Sequence, residues 1–316
     1  MNPPRLAIII PCYNEEEVLP SSLKILLGLL TRMAGDGLVA ADSYILCVDD
    51  CSKDSTWQIV NETHKADGRV KGLSFAHNSG QQNALIAGLL TAMDHCDCAV
   101  TIDSDLQDDP EAIIRMVEKF REGCEVVFGV RSSRDTDTWF KRTSARGFYR
   151  FQEMMGVETV YDHSEFRLMS NRAIHLLSEY GETNMFLRGI IVRLGLKTAV
   201  VACPRRARMA GETKYSLSKM ISLSIDGITS FTAQPMRLIF LTGFVLLILD
   251  VIVAIYALIS YFSHHTTTGW TSLILSVWFL GSLILMGLGI VGEYIGKIYV
   301  EVKHRPRYAI REKLFD

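Results

Sequence analysis

Thr101-Ile102-Asp103-Ser104-Asp105-Leu106-Gln107-Asp108-Asp109-Pro110 is the stretch whose reading decides the fold. Apolar residues 99–102 carry the backbone to the edge of a sheet, and Asp103, Asp105, Asp108 and Asp109 then arrive with Gln107 among them. In an extended segment Asp103 and Asp105 share a face, with Gln107 supplying a neutral oxygen beside them. Two close carboxylates need a counter-charge, and a hard cation such as Mg²⁺ or Mn²⁺ accepts such an all-oxygen set when phosphate oxygens complete it. An acidic turn is the plainer alternative for this pair. Asp108, Asp109, Pro110 and Glu111 suit the first turn of a helix.

Upstream, apolar runs and helical periodicities alternate. Residues 6–10 form a continuous apolar run closed by Pro11, the pattern of a strand buried on both faces. A polar cluster, Tyr13 to Glu17, precedes a helix over residues 18–33. Residues 44–48 give a second strand ending in Asp49-Asp50-Cys51-Ser52-Lys53-Asp54, followed by a helix over 57–64. Residues 70–75 give a third strand, then a polar loop at 78–83 and a small-residue helix through Ala92. Crossovers of this kind imply a parallel sheet with helices on both faces, whose ligands bind at the carboxyl ends of the strands. The clusters at 13–17, 49–54 and 103–107 all fall at those ends. Later strands are expected at 125–130, 164–169 and 198–202, with a polar, basic loop at 135–149 and a basic, glycine-containing loop at 203–215.

Composition points to a domain with a membrane appendage. Mean hydropathy over the 316 residues is +0.18, and residues 238–262 and 270–292 are two apolar segments interrupted only by Asp250. Each exceeds the roughly 20 residues needed to cross a hydrocarbon core. Their connection has no Lys or Arg, whereas Arg237 precedes the first and Lys297, Lys303, Arg305, Arg307 and Arg311 follow the second, which places both termini in the cytoplasm. Residues 214–236 mix apolar positions at helical spacing with Lys219 and Asp226, as an amphipathic helix at a membrane surface does; a core helix is the alternative. Asp250 is costly in a span unless paired, which suggests association between helices or subunits. The net charge of −2 gives no reason to expect a nucleic-acid partner. The odd number of cysteines, seven, without C-x-x-C spacing, reads as reduced packing residues. Met1-Asn2-Pro3-Pro4-Arg5 runs straight into a strand, leaving membrane attachment to the C-terminal segments.

The clusters carry a consistent chemistry. Asp49 and Asp50 can accept hydrogen bonds from a base N–H or a ribose hydroxyl, and Tyr13 can support a base by stacking. Neither a G-x-x-x-x-G-K-[ST] loop nor a G-x-G-x-x-G turn is present, so phosphate charge falls to a metal and to Arg131, Arg208 and Lys214.

Ile10-Pro11-Cys12-Tyr13-Asn14-Glu15, Val48-Asp49-Asp50-Cys51-Ser52-Lys53-Asp54, Asp103-Ser104-Asp105-Leu106-Gln107 and Gly211-Glu212-Thr213-Lys214-Tyr215 together resemble the inverting family 2 glycosyltransferases of GT-A fold. Within them the chain resembles the polyprenyl-phosphate group, which includes dolichyl-phosphate mannose synthases and the bactoprenol glucosyltransferases; the two apolar segments look like the latter branch. The resemblance implies an α/β GT-A domain with a mixed, mainly parallel sheet over residues 1–212. An amphipathic interface helix at 213–236, two transmembrane helices within 237–299 and a basic cytoplasmic tail at 300–316 would follow.

It further implies that Pro11, Tyr13, Asn14, Glu15, Val48, Asp49, Asp50 and Ser104 hold the nucleotide sugar. Asp103, Asp105 and Gln107 would bind Mg²⁺ or Mn²⁺, while Arg131, Arg208 and Lys214 would contact donor diphosphate and lipid phosphate. Asp103, Asp105, Arg131 and Glu165 form the implied catalytic set, Glu165 standing where relatives have Asp and Cys51 where they have Gly or Asn. The implied reaction moves glucose from UDP-glucose to undecaprenyl phosphate at the cytoplasmic face of a bacterial membrane, with a homo-oligomer and a separate flippase as expected partners. A GDP-mannose-dependent polyprenyl-phosphate mannose synthase and a non-catalytic sugar-nucleotide-binding scaffold are the alternatives.

Overall fold

The computed structural model describes residues 2–131, 163–182, 187–203 and 269–315, with separate helical positions between 239 and 255. The chain divides into two units, one holding the sheet together with residues 305–316, the other built around the apolar C-terminal helix.

In the first unit, β1 (Leu6–Cys12) is buried along its whole length. It leads into α1 (Leu19–Gly35), which has proline in its first turn and buries Leu19, Leu23, Leu26, Leu30 and Met33, spaced three and four apart on one face. Next come β2 (Tyr44–Asp49), α2 (Thr56–Ala66) and β3 (Val70–Phe75). α3 (Gln81–Ala92) precedes β4 (Cys98–Thr101), which is followed by α4 (Ala112–Arg121) and β5 (Val126–Arg131). Beyond residues 132–162 lie β6 (His163–Ser170), α5 (Asn171–Ser178), α6 (Leu187–Arg193) and β7 (Thr198–Cys203). The second unit contributes α7 (Trp270–Val302), and the chain then returns to the first as β8 (Ile310–Leu314).

These strands form one sheet in the order β7-β5-β6-β4-β1-β2-β3-β8. β1 pairs in parallel with β2 on one side and with β4 on the other, so the winding reverses at β1. β6 and β8 run antiparallel to their neighbours, which makes the sheet mixed as expected. β1, β2 and β4 are largely apolar runs because helices cover both faces, leaving no solvent side to impose alternation, whereas β3 carries Lys71 and Ser74 within it.

The C-terminal region differs from expectation in two respects. A single described helix, α7, is long and apolar enough to cross a membrane, and its apolar window, Phe279–Val302, lies further along the chain than residues 270–292. Residues 241–246 are helical, but most of the first expected span, including Asp250, lies outside the described residues, and a two-helix hairpin is not shown. The amphipathic segment at 213–236 and the loop at 135–149 are likewise outside them. Within the expected basic tail, residues 310–314 are a strand of the sheet.

Close packing of α3 on β1 and β2 sets the height of its N-terminus above the strand ends. At Gly88 an added Cβ would meet the Ile9 side chain and stand 3.1 Å from Val48 Cγ2. Gly88→Val is therefore expected to lower stability by about 2–3 kcal/mol, measured by urea or thermal unfolding against wild type.

Candidate active site

The loops leaving β1, β2 and β4 meet on one edge of the sheet, beside the reversal at β1. The β1 loop is fastened to the β2 loop by its own backbone. Asn14 N–H donates to Ser52 Oγ at 3.0 Å, Lys53 N–H donates to Asn14 Oδ1 at 2.8 Å, and Glu15 N–H donates to Thr56 Oγ1 at 2.9 Å. The β4 loop is tied to α1, where Ser22 Oγ donates to the Ser104 carbonyl at 2.6 Å. It is also tied to α3, where Gln81 Nε2 donates to Asp103 Oδ1 at 2.8 Å.

These loops hold unusual backbone. Among the described residues, non-glycine positions with positive φ are Asn14 (54°), Cys51 (59°), Leu106 (45°) and His304 (47°). The first three fall one in each loop of the edge. Left-handed backbone costs an L-residue roughly 1–2 kcal/mol, and such strain concentrates where a site must hold a fixed shape. Cys51 thus occupies a conformation natural to Gly or Asn.

Asp103 and Asp105 do not lie in an extended segment. β4 stops at Thr101, and a turn follows in which Leu106 N–H donates to the Asp103 carbonyl at 3.2 Å and Gln107 N–H to Asp105 Oδ1 at 3.2 Å. Both aspartates are partly exposed and Gln107 is buried. Two carboxylates and an amide in one turn are a hard-oxygen donor set suited to Mg²⁺ or Mn²⁺. Among the described residues no three His, Cys, Asp or Glu side chains converge as a metal site, so a cation here would draw on Gln107 and on donor phosphates.

The two aspartates at the end of β2 both accept hydrogen bonds from the loops around them. Asp49 is fully buried, accepting from Ser52 N–H at 3.1 Å and from Ser74 Oγ at 2.9 Å. It organises the β2 loop from beneath. Asp50 accepts from the Ser79 and Gly80 amides at 2.6 and 2.8 Å and so clamps the β3–α3 loop. Burial pushes its carboxyl above the usual aspartate range, outweighing those two amides. Pro11 and Val48 are register partners in buried strand, so they shape the floor, while Tyr13 is exposed at 37% and free to face a base.

Glu165 reaches the same edge from the antiparallel side. β6 pairs Thr101 with Arg167, and Thr101 Oγ1 donates to the Glu165 carbonyl. The Glu165 carboxylate is ion-paired to Arg167, whose side chain is 2% exposed. Arg167 was not anticipated, although its i+2 spacing places it on the face of Glu165. Gln81 was also missed, lying in a cluster that read only as a polar loop. β5 runs in the direction of β4, so Arg131, its last residue, ends at this edge. Arg208 and Lys214 lie outside the described residues.

The profile of Glycosyl transferase family 2 matches residues 7–195. The glycosyltransferase YkoT of Bacillus subtilis is 49% identical over 99% of this chain and 93% of its own. Bactoprenol glucosyl transferase of Shigella phage SfV is 34% identical, covering 98% of this chain and 99% of its own. Among solved structures, UDP-bound glucosyl-3-phosphoglycerate synthase of Mycobacterium tuberculosis superposes with a TM-score of 0.47 at 20% identity, over 72% of this chain and 78% of that one.

Two sets of substitutions check the local physics. Arg167→Met removes the cation paired with a largely buried Glu165 carboxylate and should cost about 3 kcal/mol, of which Glu165→Gln in the same chain restores a large part, read from unfolding midpoints. Cys51→Gly relieves left-handed strain and should raise stability by about 1 kcal/mol in the same measurement.

Proposed function

The chain belongs to Glycosyl transferase family 2, and on that premise we propose that it transfers glucose from UDP-glucose to undecaprenyl phosphate, with inversion, at the cytoplasmic face of a bacterial membrane. The observation that carries this reading is the edge beside β1, where the Asp103–Asp105–Gln107 turn and the loops bearing Tyr13 and Asp50 are fastened into one crevice. Relatives named for bactoprenol glucosylation align over nearly the whole chain, apolar C-terminal helix included.

In this reading Tyr13 supports the base, while Asn14, Glu15 and the Ser104 backbone shape the walls of the nucleotide site. Asp103, Asp105 and Gln107 would hold the divalent cation, which when bound neutralises the departing nucleoside diphosphate. Arg131, with Arg208 and Lys214, keeps donor diphosphate and lipid phosphate close despite their like charge. A phosphate monoester has a second pKa of about 6, so the acceptor oxygen is largely ionised near neutral pH and needs placing more than deprotonating. Glu165, held by Arg167, is suited to orienting a sugar hydroxyl or the acceptor and has its carboxylate engaged by a cation, which argues against a general-base role. Attack from the face opposite the leaving group converts an α-linked donor into a β-linked lipid phosphate.

A lipid acceptor also accounts for α7. Leu273, Ile284, Leu285, Leu288 and Ile298 on it are all more than half exposed, and such an apolar surface calls for a lipid environment. The acceptor's phosphate sits at the interface while its chain lies in lipid, so the sheet unit must be held at that surface. Moving the glycosylated lipid across the membrane falls to a separate flippase.

The test is transfer by purified full-length protein to a short-chain polyprenyl phosphate. Radiolabelled UDP-glucose, UDP-galactose, UDP-GlcNAc and GDP-mannose are compared with and without Mn²⁺. A lipid product from UDP-glucose that requires the cation is expected; no lipid product from any donor, with protein that binds nucleotide, would refute the assignment. Asp105→Ala should lower kcat by about 100- to 1000-fold in that assay, and a fully active variant would remove the aspartate from the metal role.

A further inference from the structure

The strand that closes the sheet comes from beyond the apolar helix. α7 ends at Val302, and β8 then pairs antiparallel with β3, matching Gly72 with Leu314, Leu73 with Lys313 and Ser74 with Glu312. The next pair is Phe75 with Ile310, so Arg311 is the extra residue of a β-bulge. Bulges re-aim side chains, and they recur beside active sites. The segment is firmly seated: Trp57 Nε1 donates to Glu312 at 2.9 Å, Phe75 stacks on Tyr308 with centroids 5.0 Å apart, and Ala76 N–H donates to the Ala309 carbonyl at 2.8 Å.

The bulge delivers Arg311 to the carboxylate beneath the β2 loop. Arg311 Nη2 donates to Ser74 Oγ at 2.8 Å and stands 4.0 Å from Asp49 Oδ2. Ser74 Oγ in turn donates to Asp49, whose other oxygen accepts from Ser52 N–H, and Ser52 Oγ accepts from Asn14 N–H beside Tyr13. Asp49 has a fully buried side chain, and a buried carboxylate is costly without a cation and hydrogen bonds around it. The Arg311 side chain is 47% exposed, so it covers the carboxylate from the solvent side.

We infer that Arg311 is a positioning residue for nucleotide binding, acting through Ser74 and Asp49 on the loops that carry Asn14 and Tyr13. The inference rests on the nucleotide-sugar reading above. Its consequence is that the nucleotide site is complete only when the chain following the apolar helix has returned to dock on β3. Neither the basic character of the tail nor its spacing from the helix carries this information; the bulge does.

The test is UDP and GDP binding by calorimetry with the full-length protein in detergent, comparing wild type with R311Q, R311K, S74A and R311Q/S74A. R311Q should bind the preferred nucleotide roughly three- to tenfold more weakly, a range set by a charge-assisted contact that is partly exposed. R311K should recover most of the loss. The loss in R311Q/S74A should fall short of the sum of the single losses, because the two residues act in one relay. In turnover the R311Q effect should appear in the donor KM with kcat little changed. S74A leaves strand pairing intact and supplies the same readout if R311Q melts early. R311Q binding as wild type does, or a loss that lysine fails to relieve, would overturn the role of Arg311 alone. Wild-type protein that bound neither nucleotide would overturn the functional reading and this role with it.

Discussion

Pairing of β1 with β2 on one side and β4 on the other is the constraint from which the rest follows. A strand that is central to a parallel sheet and is also the point where winding reverses leaves its carboxyl end uncovered, because α1, which leaves β1, and α3, which leads back to β4, pack on opposite faces. Every loop that ends there faces its neighbours across a few ångströms. The chain fills that gap with polar residues, and the sheet's apolar strands hold them in place.

Polar groups at such an edge have two uses, and the structure separates them by burial. Asp49 and Asp50 are largely withdrawn from solvent and serve the backbone, one gripping Ser52 and Ser74, the other the amides of Ser79 and Gly80. Asp103 and Asp105 remain partly exposed in a turn, and Tyr13 is more exposed still. The inner pair grips the backbone, and the outer residues keep more of their surface in solvent. Strained backbone at Asn14, Cys51 and Leu106 is tolerable because side chain to backbone hydrogen bonds over-determine the loops.

Much of this was legible in the chain. Apolar runs ending in polar, acidic clusters marked β1, β2 and β4 and the edge they share, since a strand covered on both faces shows no alternation. What sequence could not supply was which groups Asp49 and Asp50 grip, because Ser74, Ser79 and Gly80 are brought beside them only by the pairing of β2 with β3. The turn after β4 also escaped, as alternation suggested extended backbone where Leu106 takes a left-handed conformation. Residues 310–314 escaped for a different reason. A short charged segment has no apolar pattern to announce a strand, and its pairing with β3 is a contact across most of the chain. Arg167 and Gln81 required the antiparallel register of β6 and the docked height of α3, neither of which has a local signature.

A structure of the full-length protein bound to UDP and Mn²⁺ bears most directly on the crevice at the β1 reversal. Density for the cation among Asp103, Asp105 and Gln107, with the diphosphate beside that turn and the uracil against Tyr13, is the expected result. Nucleotide bound elsewhere on the sheet, or a cation held by other residues while this turn stays unoccupied at saturating Mn²⁺, would contradict it.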